Sequence, residues 1–123
     1  MEKKILIIED DKFLAQLLAK KLNQEKFQSL ITPTGEEGLK KTEEENFDLI
    51  ILDLLLPEMD GFEVLKKIKE KEKTKKIPIL ILSNLGQKEE IKRGLELGAT
   101  DFLVKANFTP NEIIEKVKVI LKS

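Results

Sequence analysis

The sequence predicts a doubly wound α/β domain: a five-stranded parallel sheet in the order 2-1-3-4-5, with helices on both faces. Three observations carry that prediction. Lys4–Ile8, Leu49–Leu52, Ile79–Leu82 and Phe102–Val104 are short, nearly continuous apolar runs, and strands apolar on both faces belong to parallel sheets covered by helices. Each run is followed by an amphipathic stretch, so that a strand–helix unit recurs about every 20–25 residues. The chain of 123 residues has the length of one domain and can bury a proper core.

Taken in order, strands are expected near residues 4–8, 28–32, 48–53, 77–82 and 101–104, and helices near 12–25, 35–45, 61–71, 87–96 and 110–121. Asp11 is the expected N-cap of the first helix. Thr34 with Glu37, Asp60 with Glu63, and Thr109 with Glu112 have capping-box spacing and set the starts of the second, third and fifth. Pro110 then takes the first helical position, where its missing N–H costs nothing. Gly98 is the expected stop of the fourth helix. Gly94 inside that helix costs about 1 kcal/mol relative to alanine, and reads equally as a soft point or as a close-packing point. Ile113, Ile114, Val117, Ile120 and Leu121 share one face of the last helix. Crossovers in such sheets are right-handed. Ligands sit beyond the carboxyl ends of the strands where the winding reverses, here between strands 1 and 3.

Composition removes several function classes. Cysteine and histidine are absent, which excludes disulfides, thiolate or imidazole zinc sites and the usual general base. A net charge of −1 does not mark a nucleic-acid binder. The first apolar stretch is too short for a signal peptide or membrane span, and a cytoplasmic location is expected. Arg93 is the only arginine among 22 basic residues. The lysine-rich segment Lys66–Lys76 reads as a solvated helix end favoured by the helix dipole, or alternatively as a docking patch for an acidic partner.

The chemistry sits at the strand ends. Glu9 and Asp10 follow the first strand, Asp53 the third, Ser83 the fourth and Lys105 the fifth. Three neighbouring carboxylates repel one another unless a hard divalent cation offsets their charge. Mg²⁺ suits such oxygen ligands, with Mn²⁺ or Ca²⁺ as substitutes. Asp53, set between an apolar strand and Leu54-Leu55-Leu56-Pro57, is costly to bury unless paired or ligated. It has the character of a nucleophile toward phosphorus, with the cation, the Ser83 hydroxyl and the Lys105 ammonium neutralising phosphoryl oxygens. The plainer readings are a helix-start acidic run for residues 9–11, a loop anchor for Asp53, a turn residue for Ser83 and a solvated end for Lys105. A glycosidase-type carboxylate pair fits poorly with a chain lacking Trp and Tyr.

The stretches Ile5–Asp11, Asp48–Gly61, Ile79–Ser83 and Gly98–Lys105 resemble the receiver domain of bacterial two-component response regulators, of the stand-alone, chemotaxis type. The resemblance covers essentially the whole chain and implies a flavodoxin-like (βα)5 fold, one receiver domain over residues 1–123. It implies that Asp53 accepts a phosphoryl group from the phosphohistidine of a sensor histidine kinase or phosphotransfer protein. Glu9, Asp10, Asp53 and the backbone carbonyl of Leu55 would then hold Mg²⁺, Asp10 more directly than Glu9. Ser83 and Lys105 would contact the phosphoryl group. Phe102 matches an aromatic switch position that moves with Ser83 and reshapes the face of the fourth helix, fifth strand and fifth helix, where a downstream protein docks. Such a domain assists only its own phosphorylation and dephosphorylation and is not otherwise an enzyme. The sequence closes at Ser123 just after the last helix, leaving no room for a DNA-binding output domain. Output by protein contact is therefore expected, with no direct nucleic-acid or membrane partner.

The pattern departs from the family at a few positions. Ala106 follows Lys105 where proline is usual, often with a cis bond, and the sequence leaves cis or trans open. Asn84 stands where a small residue is preferred, which predicts slow exchange with small phosphodonors such as acetyl phosphate. Leu55 and Leu85 cannot hold an attacking water by hydrogen bonding, which predicts a long-lived phosphoryl group. Phe102 lacks a hydroxyl and either switches by packing alone or is a static core residue. Two competing readings are a Mg²⁺-dependent phosphohydrolase, for which no insertion supplies a substrate cap, and a non-phosphorylated pseudo-receiver, which the intact set Glu9, Asp10, Asp53, Ser83 and Lys105 argues against. Nucleotide binding lacks its glycine loop after the first strand.

Overall fold

Alternation of strand and helix along the chain produces β1 (Lys4–Ile8), α1 (Lys12–Gln24), β2 (Gln28–Thr32), α2 (Gly35–Glu44), β3 (Leu49–Leu52), α3 (Gly61–Glu70), β4 (Ile79–Ser83), α4 (Lys88–Glu96), β5 (Asp101–Val104) and α5 (Pro110–Lys122), with a short 3₁₀ turn at Lys105–Asn107. The computed structural model describes residues 2–122; Met1 and Ser123, the two ends of the expected domain, lie outside them. The strands form one parallel sheet in the order β2-β1-β3-β4-β5, as expected.

Side-chain alternation along each strand splits the core in two. Leu6, Ile8, Ile50, Leu52, Ile79, Ile81 and Phe102 pack with Val64, Leu65 and Ile68 of α3 on one face. Ile5, Ile7, Leu49, Ile51, Leu80, Leu82 and Leu103 pack with Leu18 and Leu22 of α1 and Ile113, Ile114 and Val117 of α5 on the other. Ile120 and Leu121 join that second layer only in part. Truncating one of the buried aliphatic side chains to alanine costs about 2–5 kcal/mol.

Helix starts follow the capping chemistry, though only one of the three expected boxes closes in full. Leu14 N–H donates to Asp11 Oδ1. Thr109 and Glu112 form the full reciprocal box, and Glu37 N–H donates to Thr34 Oγ1. Asp60 caps α3 through the amide of Phe62 rather than that of Glu63. Glu63 instead lies 4.0 Å from Lys67 along the helix, so that box is not closed. At α4, Glu90 accepts from the Gln87 amide, a cap not foreseen from the sequence. Gly98 ends the helix region at φ +111°, a conformation that disfavours any side chain.

β4 starts at Ile79 rather than near residue 77 and includes Ser83. Pro78, which has no N–H, offers only its carbonyl, to Ile50. Gly94 is a close-packing position: a Cβ there would lie 2.7 Å from Ile81 Cδ1 and 3.1 Å from the Phe102 ring. The lysine-rich segment stays largely exposed, as a solvated helix end should, and makes its contacts along the surface. Lys71 pairs with Glu43, Lys73 donates to Glu43 O, Lys75 pairs with Glu72, and Lys69 donates to the carbonyls of Lys75 and Ile77. Burial lowers the pKa of Lys69.

Candidate functional site

Register puts the strand ends level. Ile8 pairs with Leu52, Leu52 with Ile81, and Ser83 with Val104, so Glu9, Asp53, Ser83 and Lys105 leave the sheet along one edge. Asp53 N–H still donates to Ile8 O, which ties the third strand's exit to the first. Glu9 is 2% exposed, Asp53 3% and Ser83 0%.

A common local device holds the three buried side chains. Each accepts a hydrogen bond from the amide two residues on: Asp11 to Glu9 Oε2 at 3.0 Å, Leu55 to Asp53 Oδ1 at 3.1 Å, and Leu85 to Ser83 Oγ at 3.4 Å. Short polar side chains favour this turn at the end of a regular element. It leaves Asp53 Oδ2 and Glu9 Oε1 to face Lys105, whose Nζ lies 2.8 Å from each. Among the described residues the Ser83 hydroxyl accepts from Leu85 and donates to no partner.

Glu9, Asp10 and Asp53 offer oxygen atoms that all lie within 4.8 Å of one another. Asp10 is exposed while the other two are buried. Burial, foremost, raises the Glu9 pKa to about 7; the Lys105 and Asp11 hydrogen bonds oppose it, and the Asp53 charge adds to it. Burial by itself would lower the Lys105 pKa, but the hydrogen bonds and charges of Asp53 and Glu9 hold it above the usual lysine value. Three carboxylate oxygens in reach of one another and a single ammonium leave excess negative charge, which is the donor set of a hard divalent cation. The Leu55 carbonyl accepts no hydrogen bond among the described residues.

The sequence-predicted residues therefore assemble unevenly. Glu9, Asp10, Asp53 and Lys105 meet directly. Ser83 stands at the same edge, one position from Lys105 across the β4–β5 pair. Phe102 is set back in the core, in register with Ile81 and beneath Gly94. No cis peptide bond occurs among the described residues, so Lys105–Ala106 is trans. Two contacts were not foreseen from the sequence. The Leu55 amide bond was readable from the preference of Asp for the amide two residues on. The Lys105–Glu9 pair had no local signal.

The acidic pocket, with Asp53 buried at its centre, lies at the switch point of a 2-1-3-4-5 sheet and defines a doubly wound α/β domain with its site at the strand ends. The family model of the response regulator receiver domain matches residues 5–118. The alkaline phosphatase synthesis transcriptional regulatory protein PhoP of Bacillus subtilis (strain 168) is 39% identical over 122 residues, 99% of this chain and 50% of that protein. A CheY-like response regulator receiver domain protein from Methanospirillum hungatei JF-1 superposes with a TM-score of 0.92 at 30% identity, covering 99% of this chain and 95% of that one. The non-phosphorylated HemR receiver domain of Leptospira biflexa gives 0.91 at 33% identity, covering 99% and 96%. The chain belongs to the response regulator receiver domain family. It spans about half the length of the curated relatives it matches. Among the described residues no helix is long and apolar enough to cross a membrane.

Proposed function

We propose that the chain is a phosphoacceptor switch in which Asp53 takes a phosphoryl group from the phosphohistidine of a partner kinase or phosphotransfer protein. The observation that carries this reading is the buried Asp53 carboxylate, held by the Leu55 amide and paired with Lys105 at 2.8 Å. A carboxylate oxygen of Asp53 forms the new O–P bond as the donor's P–N bond breaks, and the imidazole nitrogen leaves with the bonding pair. Lys105 neutralises charge on one phosphoryl oxygen and Ser83 donates a hydrogen bond to another.

Glu9, Asp10, Asp53 and the Leu55 carbonyl would hold Mg²⁺, or Mn²⁺ or Ca²⁺ in its place. The bound cation supplies charge neutralisation for the phosphoryl group. Asp10, being exposed, is the ligand reached first from solvent, and Glu9 must be deprotonated to take part. The domain acts only on its own phosphoryl group. Relatives twice this length are named transcriptional regulatory proteins, so the event at Asp53 serves to change docking to an output partner, through the face of α4, β5 and α5.

The test is incubation with acetyl phosphate or phosphoramidate plus Mg²⁺, followed by intact-mass measurement. Wild type gains one phosphoryl group and Asp53→Asn gains none. Equal gain in both, or none in either, rejects the assignment.

A further inference from the structure

α4 is lightly anchored. Of its nine residues only Gly94 is buried, with Ile91 partly buried against the core. Gly94 lets the helix backbone rest on Ile81 and Phe102. The next clear tie is Arg93, whose guanidinium lies 4.1 Å from the centroid of the Phe62 ring, well inside cation–π range. Among the described residues Arg93 makes no ion pair, although Glu89, Glu90 and Glu96 share its helix. Every other basic residue in the chain is lysine, and arginine is the cation whose planar head stacks on an aromatic face.

What Phe62 is joined to gives the contact its meaning. Phe62 is the second residue of α3 and 5% exposed. Gly61 before it donates to Leu54 O at 3.1 Å, and a Cβ on Gly61 would lie 2.6 Å from Asp53 O. The residue under Arg93 therefore directly follows a glycine whose backbone is held against the segment that carries Asp53 and Leu55. We propose that Arg93 is a positioning residue that latches α4 to the start of α3. Through Phe62 and Gly61 it couples the helix to the Asp53 loop by a route separate from Ser83 and Phe102. The latch itself stands on the geometry; its coupling to phosphorylation rests on the function proposed above.

Hydrogen exchange of the α4 amides tests it on the whole chain, in two arms. Without any phosphodonor, Arg93→Met keeps the aliphatic stem and removes the charge, and Phe62→Leu keeps apolar fill and removes the ring. Each is expected to raise exchange in α4 about 2- to 5-fold, the measure of an exposed cation–π contact. The double variant is expected to show no more than either single, with α5 unchanged. Arg93 is on the surface, so Arg93→Met decides the latch even if Phe62→Leu does not fold: α4 exchange equal to wild type, or additive effects in the double, overturns it. In the second arm beryllofluoride with Mg²⁺ stands in for the phosphoryl group. The resulting change in α4 exchange is expected to shrink by a similar factor in Arg93→Met, and an undiminished change defeats the coupling. Failure of wild type to bind beryllofluoride would instead strike at the role of Asp53, and the outcome of the first arm would stand.

Discussion

The Lys105 ammonium lies 2.8 Å from Glu9 Oε1 and the same distance from Asp53 Oδ2, so one cation is shared between two buried carboxylates. Burial, foremost, raises the Glu9 pKa to about 7, and the Asp53 charge adds to it, so that the shared ammonium offsets the rise only in part. The folded protein therefore binds a proton at Glu9 more readily than the unfolded chain does. Stability from this group is complete below the unfolded value of 4.5 and is lost as pH rises through about 7.

Two consequences are measurable in thermal melts between about pH 5 and about pH 8. Without divalent cation, stability falls with rising pH, and Glu9→Gln flattens that slope. With Mg²⁺, the added stabilisation grows over the same interval, because the cation takes the place of the proton. Lys105 does not contribute there, since its raised pKa confines its titration to alkaline pH. An unchanged slope in Glu9→Gln would refute the linkage.

Lys105→Met leaves Glu9 and Asp53 facing each other without a counter-charge. Removing one partner of a buried ion pair costs roughly 3 kcal/mol, and Mg²⁺ should restore more of that loss in the variant than it adds to wild type. Urea unfolding with and without Mg²⁺ reads both quantities. The phosphoryl group, when transferred, should turn over more slowly in the variant.

Much of this was legible in the sequence. Apolar runs ending in Glu9, Asp53, Ser83 and Lys105 identified the strand exits, because a strand buried on both faces tolerates polar groups only where it leaves the sheet. Thr34, Thr109 and Asp11 announced helix starts by chemistry that is local. The remainder depended on residues far apart in sequence. The Lys105–Glu9 pair, the Arg93–Phe62 contact and the tether from Lys71 and Lys73 to Glu43 arise only once the sheet has set the helices beside one another. The 3₁₀ turn at Lys105–Asn107 carried no signal, since Ala106 and Asn107 favour no particular turn strongly enough to announce it.

Gly61→Ala should damage the site and the fold together. A Cβ at this position would stand 2.4 Å from Leu54 Cα and 2.6 Å from Asp53 O, both backbone atoms that cannot swing aside. The loop must shift to admit it, at about 1–3 kcal/mol, and with it the Leu55 amide that holds Asp53. Calorimetry should show the stability loss and mass spectrometry a reduced phosphoryl yield. Wild-type values for both would mean that the loop is softer than its contacts imply.

Lys26 and Gly98 make opposite cases of one backbone rule. Lys26 sits at φ +68° just past α1, where glycine is at ease and a side chain is not. Lys26→Gly should therefore stabilise the domain by roughly 0.5–1 kcal/mol. Gly98, at φ +111° and with the Lys69 stem 3.2 Å from any Cβ, should lose about as much or more on substitution by alanine. Chemical unfolding of the two variants should displace the midpoint in opposite directions.

Leu55 and Leu85 bear on how long the phosphoryl group persists. Both follow the site by two residues, and both give their amides inward, to Asp53 and Ser83. Leu55 is 51% exposed and Leu85 partly buried, and both side chains are apolar. Hydrolysis needs a water oriented in line with the breaking O–P bond, and neither leucine has an atom to hold it. Replacing Leu55 by asparagine adds an acceptor and a donor without moving the amide. Hydrolysis of the phosphorylated variant, followed by intact mass after donor removal, should then run several-fold faster than wild type. A wild-type half-life of only seconds, or an unchanged rate in Leu55→Asn, would place control of the attacking water elsewhere.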